Sequence, residues 1–370
     1  MYGGARAKDN VGGYDLLDDL WRYTPGTGLW TWESGTSTGN QTPVYGLKGV
    51  AAQENHPGAR LSSMSWIGSS GDLWIFGGGV FGSGESNDLW KYNVQTGLWT
   101  WLTGGSGASA GNYGIKGTGS PSAVPGARSL GAAWSDAAGD LWLFGGNGYD
   151  ADGAFGQLND LWRFSVSTGN WIWVGGSDKV NAQPVYGTLG VASVVNDPGA
   201  RHAAISWTDN RGKFWMFGGQ GYYSDLWQFD PAEGVWTWMG GSAVPNEPGV
   251  YGTLGASSTA NRPGARAYGQ GWTDALGNLW LFGGDGVDGY GNSGPLNDLW
   301  KFDPVRKDWT WMGGSDEKNK SGIYGVPGQQ SAGNIPGSRR GSAGWRAANG
   351  DLWLFGGTSI GPDGFAERDD

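Results

Sequence analysis

Two histidines and no cysteine leave this 370-residue chain few of the side chains that do acid, base or nucleophilic chemistry at neutral pH. Without a thiol there is no thiolate nucleophile, thiolate metal site or disulfide. His56 and His202 fall in different copies of an internal repeat. His202 follows Arg201, where the other copies carry Leu61, Ser129, Ala267 and Arg340, so it reads as drift at a variable position. His56 lies just before a turn and reads as a surface residue. A Ser-His-Asp arrangement therefore has no footing. Five arginines, Arg60, Arg128, Arg201, Arg266 and Arg339, recur at one repeat position, and Asp19, Asp88, Asp160, Asp225 and Asp298 recur at another. Equivalence across copies favours a structural pairing of guanidinium with carboxylate; the alternative is a ring of positive charge lining a channel mouth. Asp150 and Asp152 in YDADG, and Asp285 with Asp288 in DGVDG, place hard oxygen donors beside glycines. They lack the alternating ligand loop of a calcium site, so solvated turns are expected. No catalytic residue, metal site or cofactor is expected.

The elements behind these positions are set by the tryptophans. All 25 fall into five positions of one unit. Trp66, Trp74, Trp90, Trp99 and Trp101 define the set. It recurs at 134–173, 207–238 and 272–311, and the fifth set is split between Trp345 and Trp353 at one end and Trp21, Trp30 and Trp32 at the other. The first Trp precedes the second by 8 residues and the third precedes the fourth by 9 in every copy, while the gap between second and third runs from 12 to 20. Two fixed hairpins joined by an adjustable loop account for that pattern. The second strand, LWIF or LWLF, is apolar on both faces and must be buried on both. The first is rich in small residues. In the fourth, Trp99 and Trp101 project from one face. Such four-stranded wedges bury both faces by stacking round a ring.

Composition agrees. With 74 Gly and 14% aromatic residues the chain is turn-rich, without the aromatic poverty of disorder. A net charge of -10 disfavours nucleic acid and anionic membranes as partners. No apolar run reaches the roughly 20 residues of a membrane span. The first residues, MYGGARAKDN, lack the apolar core of a signal peptide.

The order of PGAR, Gly pair, NDLW and LWTW resembles the Kelch repeat of β-propellers, above all its Trp-rich variety in bacterial, often exported, proteins. The resemblance implies an all-β propeller of four-stranded blades, and counting five of each strand gives five blades where Kelch rings more often have six or seven, at about 58–104, 126–175, 199–240, 264–313 and 337–357 plus 14–33. The last blade would be closed by third and fourth strands from the N-terminus and first and second strands from the C-terminus. It also suggests an extracellular or cell-surface location. A piece of a longer array is the alternative: GGYDLLDDLW at 12–21 matches GGQGYYSDLW at 218–227, and the tail stops where another NDLW would begin. The fold resembles the propeller of galactose oxidase without its copper site, because the Cys and His ligands are missing. The period of 65 to 73 residues exceeds the usual Kelch length. The excess lies before PGAR, headed by Tyr45, Tyr113, Tyr186, Tyr251 and Tyr324, and its repetition predicts an ordered extra layer.

Diversity is confined to one class of loop, between the second and third strands. Those loops hold Phe81, Tyr149 with Phe155, Tyr222 with Tyr223, and Tyr290, close to Glu85, Asp150, Asp152, Asp285 and Asp288. Aromatic faces beside carboxylates suit a glycan or a protein partner. The expected function is a non-enzymatic binding or scaffold propeller using this rim. A glycan-acting hydrolase and a structural surface-assembly protein are the alternatives.

Overall fold

The computed structural model describes residues 2–7, 13–361 and 364–367. The chain forms two compact units, one of residues 1–183 with 199–202, the other of 184–198 with 203–370. Every regular element is a β-strand, and among the described residues there is no helix.

In the first unit a complete blade pairs Met64–Ile67 with Leu73–Val80, then Gly84–Asn93, then Leu98–Thr103, all antiparallel. Trp66 lies opposite Trp74, and Trp90 opposite Trp101, so the constant spacings of the tryptophans are hairpin registers. The next blade repeats this with Ala132–Ser135, Leu141–Tyr149, Phe155–Ser165 and Asn170–Gly175. The two stack face to face. Trp74 meets Phe164 at 6.0 Å and Phe76 meets Trp171 at 5.2 Å between ring centroids. The Trp66 indole N–H donates to the Trp134 carbonyl at 2.9 Å. Each second strand is thus buried on both faces, as its unbroken apolar run requires.

The second unit carries two more complete blades, at Ile205–Thr208 to Val235–Gly240 and at Gln270–Thr273 to Asp308–Gly313. The same junction recurs, with Trp215 on Phe302 at 5.6 Å and Phe217 on Trp309 at 5.7 Å. The insertion before PGAR is ordered, as expected. Val44 bridges His56, Val185 bridges Asp197 and Val250 bridges Arg262, and each short hairpin adds to the outside of a fourth strand.

The ends depart from expectation. In the sequence, Gly12 and Gly13 match the Gly pair that closes a second strand; in the structure Gly3 and Gly4 take that role. Tyr2–Ala7 pairs with Tyr14–Thr24, which pairs with Leu29–Ser34. Gly3 has φ +62, as does Gly77, and a Cβ on it would lie 2.7 Å from the Arg60 carbonyl oxygen, just as one on Gly77 would lie 2.5 Å from that of Arg128. Tyr2 then occupies the place of Phe76, edge-on to Trp99 at 5.3 Å. At the other end Leu352–Phe355 pairs with Ala343–Arg346, and Thr358–Gly361 with Arg339–Arg340 and Gly364–Glu367. The described N-terminal strands form one sheet and the C-terminal strands two others; the edge of Tyr14–Thr24 away from Leu29–Ser34 carries Tyr2–Ala7.

One backbone position breaks the repeat rule. The turn between third and fourth strands needs a left-handed residue, and Gly28, Gly97, Gly169 and Gly234 supply it at φ of +69 to +70; the last copy has Lys307 at φ +58. A side chain there costs about 1 kcal/mol or more.

Candidate functional site

The recurrent Arg and Asp meet in buried nodes. Arg60 binds both oxygens of Asp88 at 2.8 and 2.9 Å, Arg128 those of Asp160 at 2.5 and 2.7 Å, and Arg266 those of Asp298 at 2.6 and 2.7 Å. The indole two residues on donates to the same carboxylate, as Trp90 does to Asp88 and Trp162 to Asp160, each at 2.7 Å. The insertion tyrosines complete the node: Tyr113 donates to Asp160 and Tyr251 to Asp298 at 2.7 Å, each ring between two indoles. Burial, then the adjacent carboxylate, raises these phenols far above their ordinary 10.0, which keeps them donors. Arg201 and Arg339 are equally buried; Arg339 binds the carbonyls of Gly337 and Gly356. None of the five guanidiniums faces solvent.

The nodes set a pH response. Burial alone would raise the Asp88 carboxyl, but Arg60, Ser86 and Trp90 together hold it below its ordinary 3.8. Asp72, Asp230, Asp274 and Asp288 are lowered too, against burial, by ion pairs or hydrogen bonds. Burial also lowers His56 and His202 below 6.5. In both classes the unfolded chain takes protons first, so stability is present above the unfolded value and lost as pH falls. Urea titrations should show stability level between about pH 7 and 9, a shallow decline below about 6.5 and a steep one below about 4. A rise in stability on acidification would contradict this.

The variable loops fold mostly onto themselves. Tyr149 and Phe155 are cross-strand partners with rings 5.0 Å apart. Asp150 is buried, and its oxygens accept the N–H groups of Asp152, Ala154 and Val180. Asp288 does the same for Tyr290, Asn292 and Lys318. Both carboxylates staple turns. Asp152 is exposed and paired with Lys179, and the exposed Tyr290 donates to Asp316 at 3.3 Å. Phe81 is exposed at a loop tip. Tyr223 is half-buried, and its carbonyl accepts the Arg266 N–H.

Tyr222 and Asp285 are brought together, and the second unit adds Arg340 and Tyr268. The Tyr222 hydroxyl donates to Asp285 Oδ2 at 3.0 Å, and Arg340 Nη1 reaches the same oxygen at 3.2 Å. Tyr222 is held at φ +54, a strained setting for an aromatic residue. Burial and then the negative Asp285 raise its phenol. Burial raises the Tyr268 phenol, and Arg340, which lowers it, and Asp285, which raises it, lie close enough to act on it. The Arg340 side chain is 41% exposed. In the sequence, Arg340 stands only as drift after the recurrent Arg339. Register explains its role: the residue after that Arg faces the preceding blade, as Ser129 does in donating to Glu85 at 3.1 Å. The signal was present in the variability of that position, but it needed the pairing to be read.

Among the described residues no group of three or more His, Asp or Glu side chains is placed to hold a metal ion. No helix is long and apolar enough to cross a membrane. Strands, repeats and aromatic junctions together define a five-bladed β-propeller with Trp-rich blades. No protein-family model matches the chain, and a search of curated proteins finds no match.

Proposed function

We propose that the chain is a Kelch-type propeller that acts as a binding or scaffold module, without catalysis of its own. It takes a protein or glycan ligand at the rim formed by the loops between second and third strands. The observation that carries this is the cluster of Tyr222, Asp285 and Arg340. It is partly exposed, it departs from the repeat, and it includes a residue under backbone strain. Such departures from local rules gather at functional sites. Its guanidinium and phenol suit hydroxyl and carboxylate groups of a ligand. The alternatives of a glycan-acting hydrolase and a surface-assembly protein have no comparable cluster behind them. The Trp-rich repeat supports a bacterial, exported and cell-surface setting for the module.

The test is a glycan and protein interaction screen with the wild type and with a Tyr222→Ala, Asp285→Ala double variant. The wild type should bind a ligand that the variant loses by about tenfold or more. Equal binding by both would remove the rim assignment. Turnover of the ligand by the wild type would remove the non-catalytic one.

A further inference from the structure

A cavity of the second unit shares no residue with the rim cluster. It has a volume of about 870 Å³ and lies between the fourth strand of one complete blade and the insertion hairpin of the next. That is the size of a small-ligand site. Trp238 and Met239 form an apolar wall, and the only charged residues lining it are Glu247, Arg262 and Lys307.

All three charges are departures from the repeat. At the position of Glu247 the other copies have Gln41, Ser109, Ala182 and Lys320, whose carbonyls accept the same N–H. At the position of Arg262 they have His56, Val124, Asp197 and Ile335 in the same bridge. At the position of Lys307 they have Gly28, Gly97, Gly169 and Gly234. The groove combines two cations with one carboxylate, on a chain of net charge -10. One of the cations sits where the backbone demands glycine. Lys307 has no ion pair among the described residues, and Arg262 meets Glu247 only at 3.8 Å, with its buried Nε unpartnered. The charges are thus not consumed by one another. Trp238 donates its indole N–H to the Gly240 carbonyl at 2.7 Å and meets the Tyr186 ring edge to face at 5.0 Å.

We infer that this groove binds a carboxylate-bearing saccharide, a uronic acid residue within a glycan chain. The C–H face of the pyranose would lie against Trp238, and its carboxylate would be held by Lys307 and Arg262, the latter freed from its long contact with Glu247. A flat ring wall beside paired cations fits a sugar acid better than an acidic peptide, whose carboxylates hang from flexible stems.

The experiment is calorimetry at low salt with tetragalacturonate, with neutral galactotetraose and with an octaglutamate peptide. The wild type should bind tetragalacturonate about tenfold or more tightly than the neutral sugar, with an affinity that falls as salt rises. Lys307→Gly restores the residue of the other turns, so its melting temperature should hold or rise while uronate affinity falls about fivefold or more. Lys307→Asn, which tolerates the left-handed turn without the charge, should lose affinity equally. Absence of uronate binding by the wild type, equal affinity for the neutral sugar, or unchanged affinity in either Lys307 variant overturns the inference. Octaglutamate binding as tight as the uronate overturns the saccharide assignment. Loss of the rim ligand in the Tyr222→Ala, Asp285→Ala variant bears on the rim alone, because the groove contains neither residue.

Discussion

Replacing Asp160 with alanine is expected to cost about 3–5 kcal/mol of folding free energy, because it strands a buried charge. Asp160 is fully buried, and Arg128, Trp162 and Tyr113 all donate to its two oxygens. Its removal leaves a guanidinium, an indole N–H and a phenol facing an apolar interior with no acceptor. A loss of that size is a large part of the about 5–15 kcal/mol that holds an ordinary domain together. Asp160→Asn should also destabilise strongly, since an amide keeps the shape but cannot balance Arg128. The double change Arg128→Met, Asp160→Leu should cost less than either single change at the pair, because no charge then remains to be desolvated. Guanidinium denaturation of the wild type, the Asp160→Ala and Asp160→Asn variants, the double variant and its two component single variants measures this. A single-variant loss under about 1 kcal/mol would mean that water reaches the node and screens it.

The second large effect separates two tryptophans that share one repeat position. Trp171 is 1% exposed and packs on Phe76, Phe164 and Trp162; Trp30 is 56% exposed and meets only the ring of Tyr23 among the described residues. Trp171→Ala should therefore cost about 3–5 kcal/mol, the usual range for deleting a buried large aromatic. Trp30→Ala should cost less than about 1 kcal/mol, as surface substitutions do. Denaturant midpoints of the two variants give the comparison. Equal losses would show that Trp30 is covered in solution by a partner surface, since its own side chain buries little here.

Much of the blade was legible because its signals are local and repeated. The spacings of 8 and 9 residues between tryptophans are hairpin registers, and both hairpins appear as read, with Trp66 opposite Trp74 and Tyr92 opposite Trp99. The Arg-to-Asp pairing could be anticipated because a charge that recurs at equivalent buried positions needs a recurring counter-charge. The ends were less legible. Gly12 and Gly13 match the Gly pair in one dimension as well as Gly3 and Gly4 do. What distinguishes them is the close approach of the Arg60 carbonyl, which leaves no room for a Cβ on Gly3.

The candidate sites show the same division. Asp150 and Asp288 stood out in sequence as carboxylates in aromatic loops, yet their oxygens are spent on backbone N–H groups of their own turns. Arg340 and Lys307 did not stand out, because a single basic residue in a long repeat carries no pattern. Each acquires meaning only from what lies opposite it: Asp285 for Arg340, a cavity for Lys307. By itself the sequence determined the strand, the turn and the composition of the blade wall, since these follow from period-two alternation and from where glycine is compulsory. Only the tertiary structure decided which blade faces meet, which end strand takes the vacant edge and which unrepeated charges converge. Those outcomes depend on distances between residues some 40 to 80 positions apart, and pairs such as Asp285 with Arg340, 55 apart, leave no periodic trace in a chain.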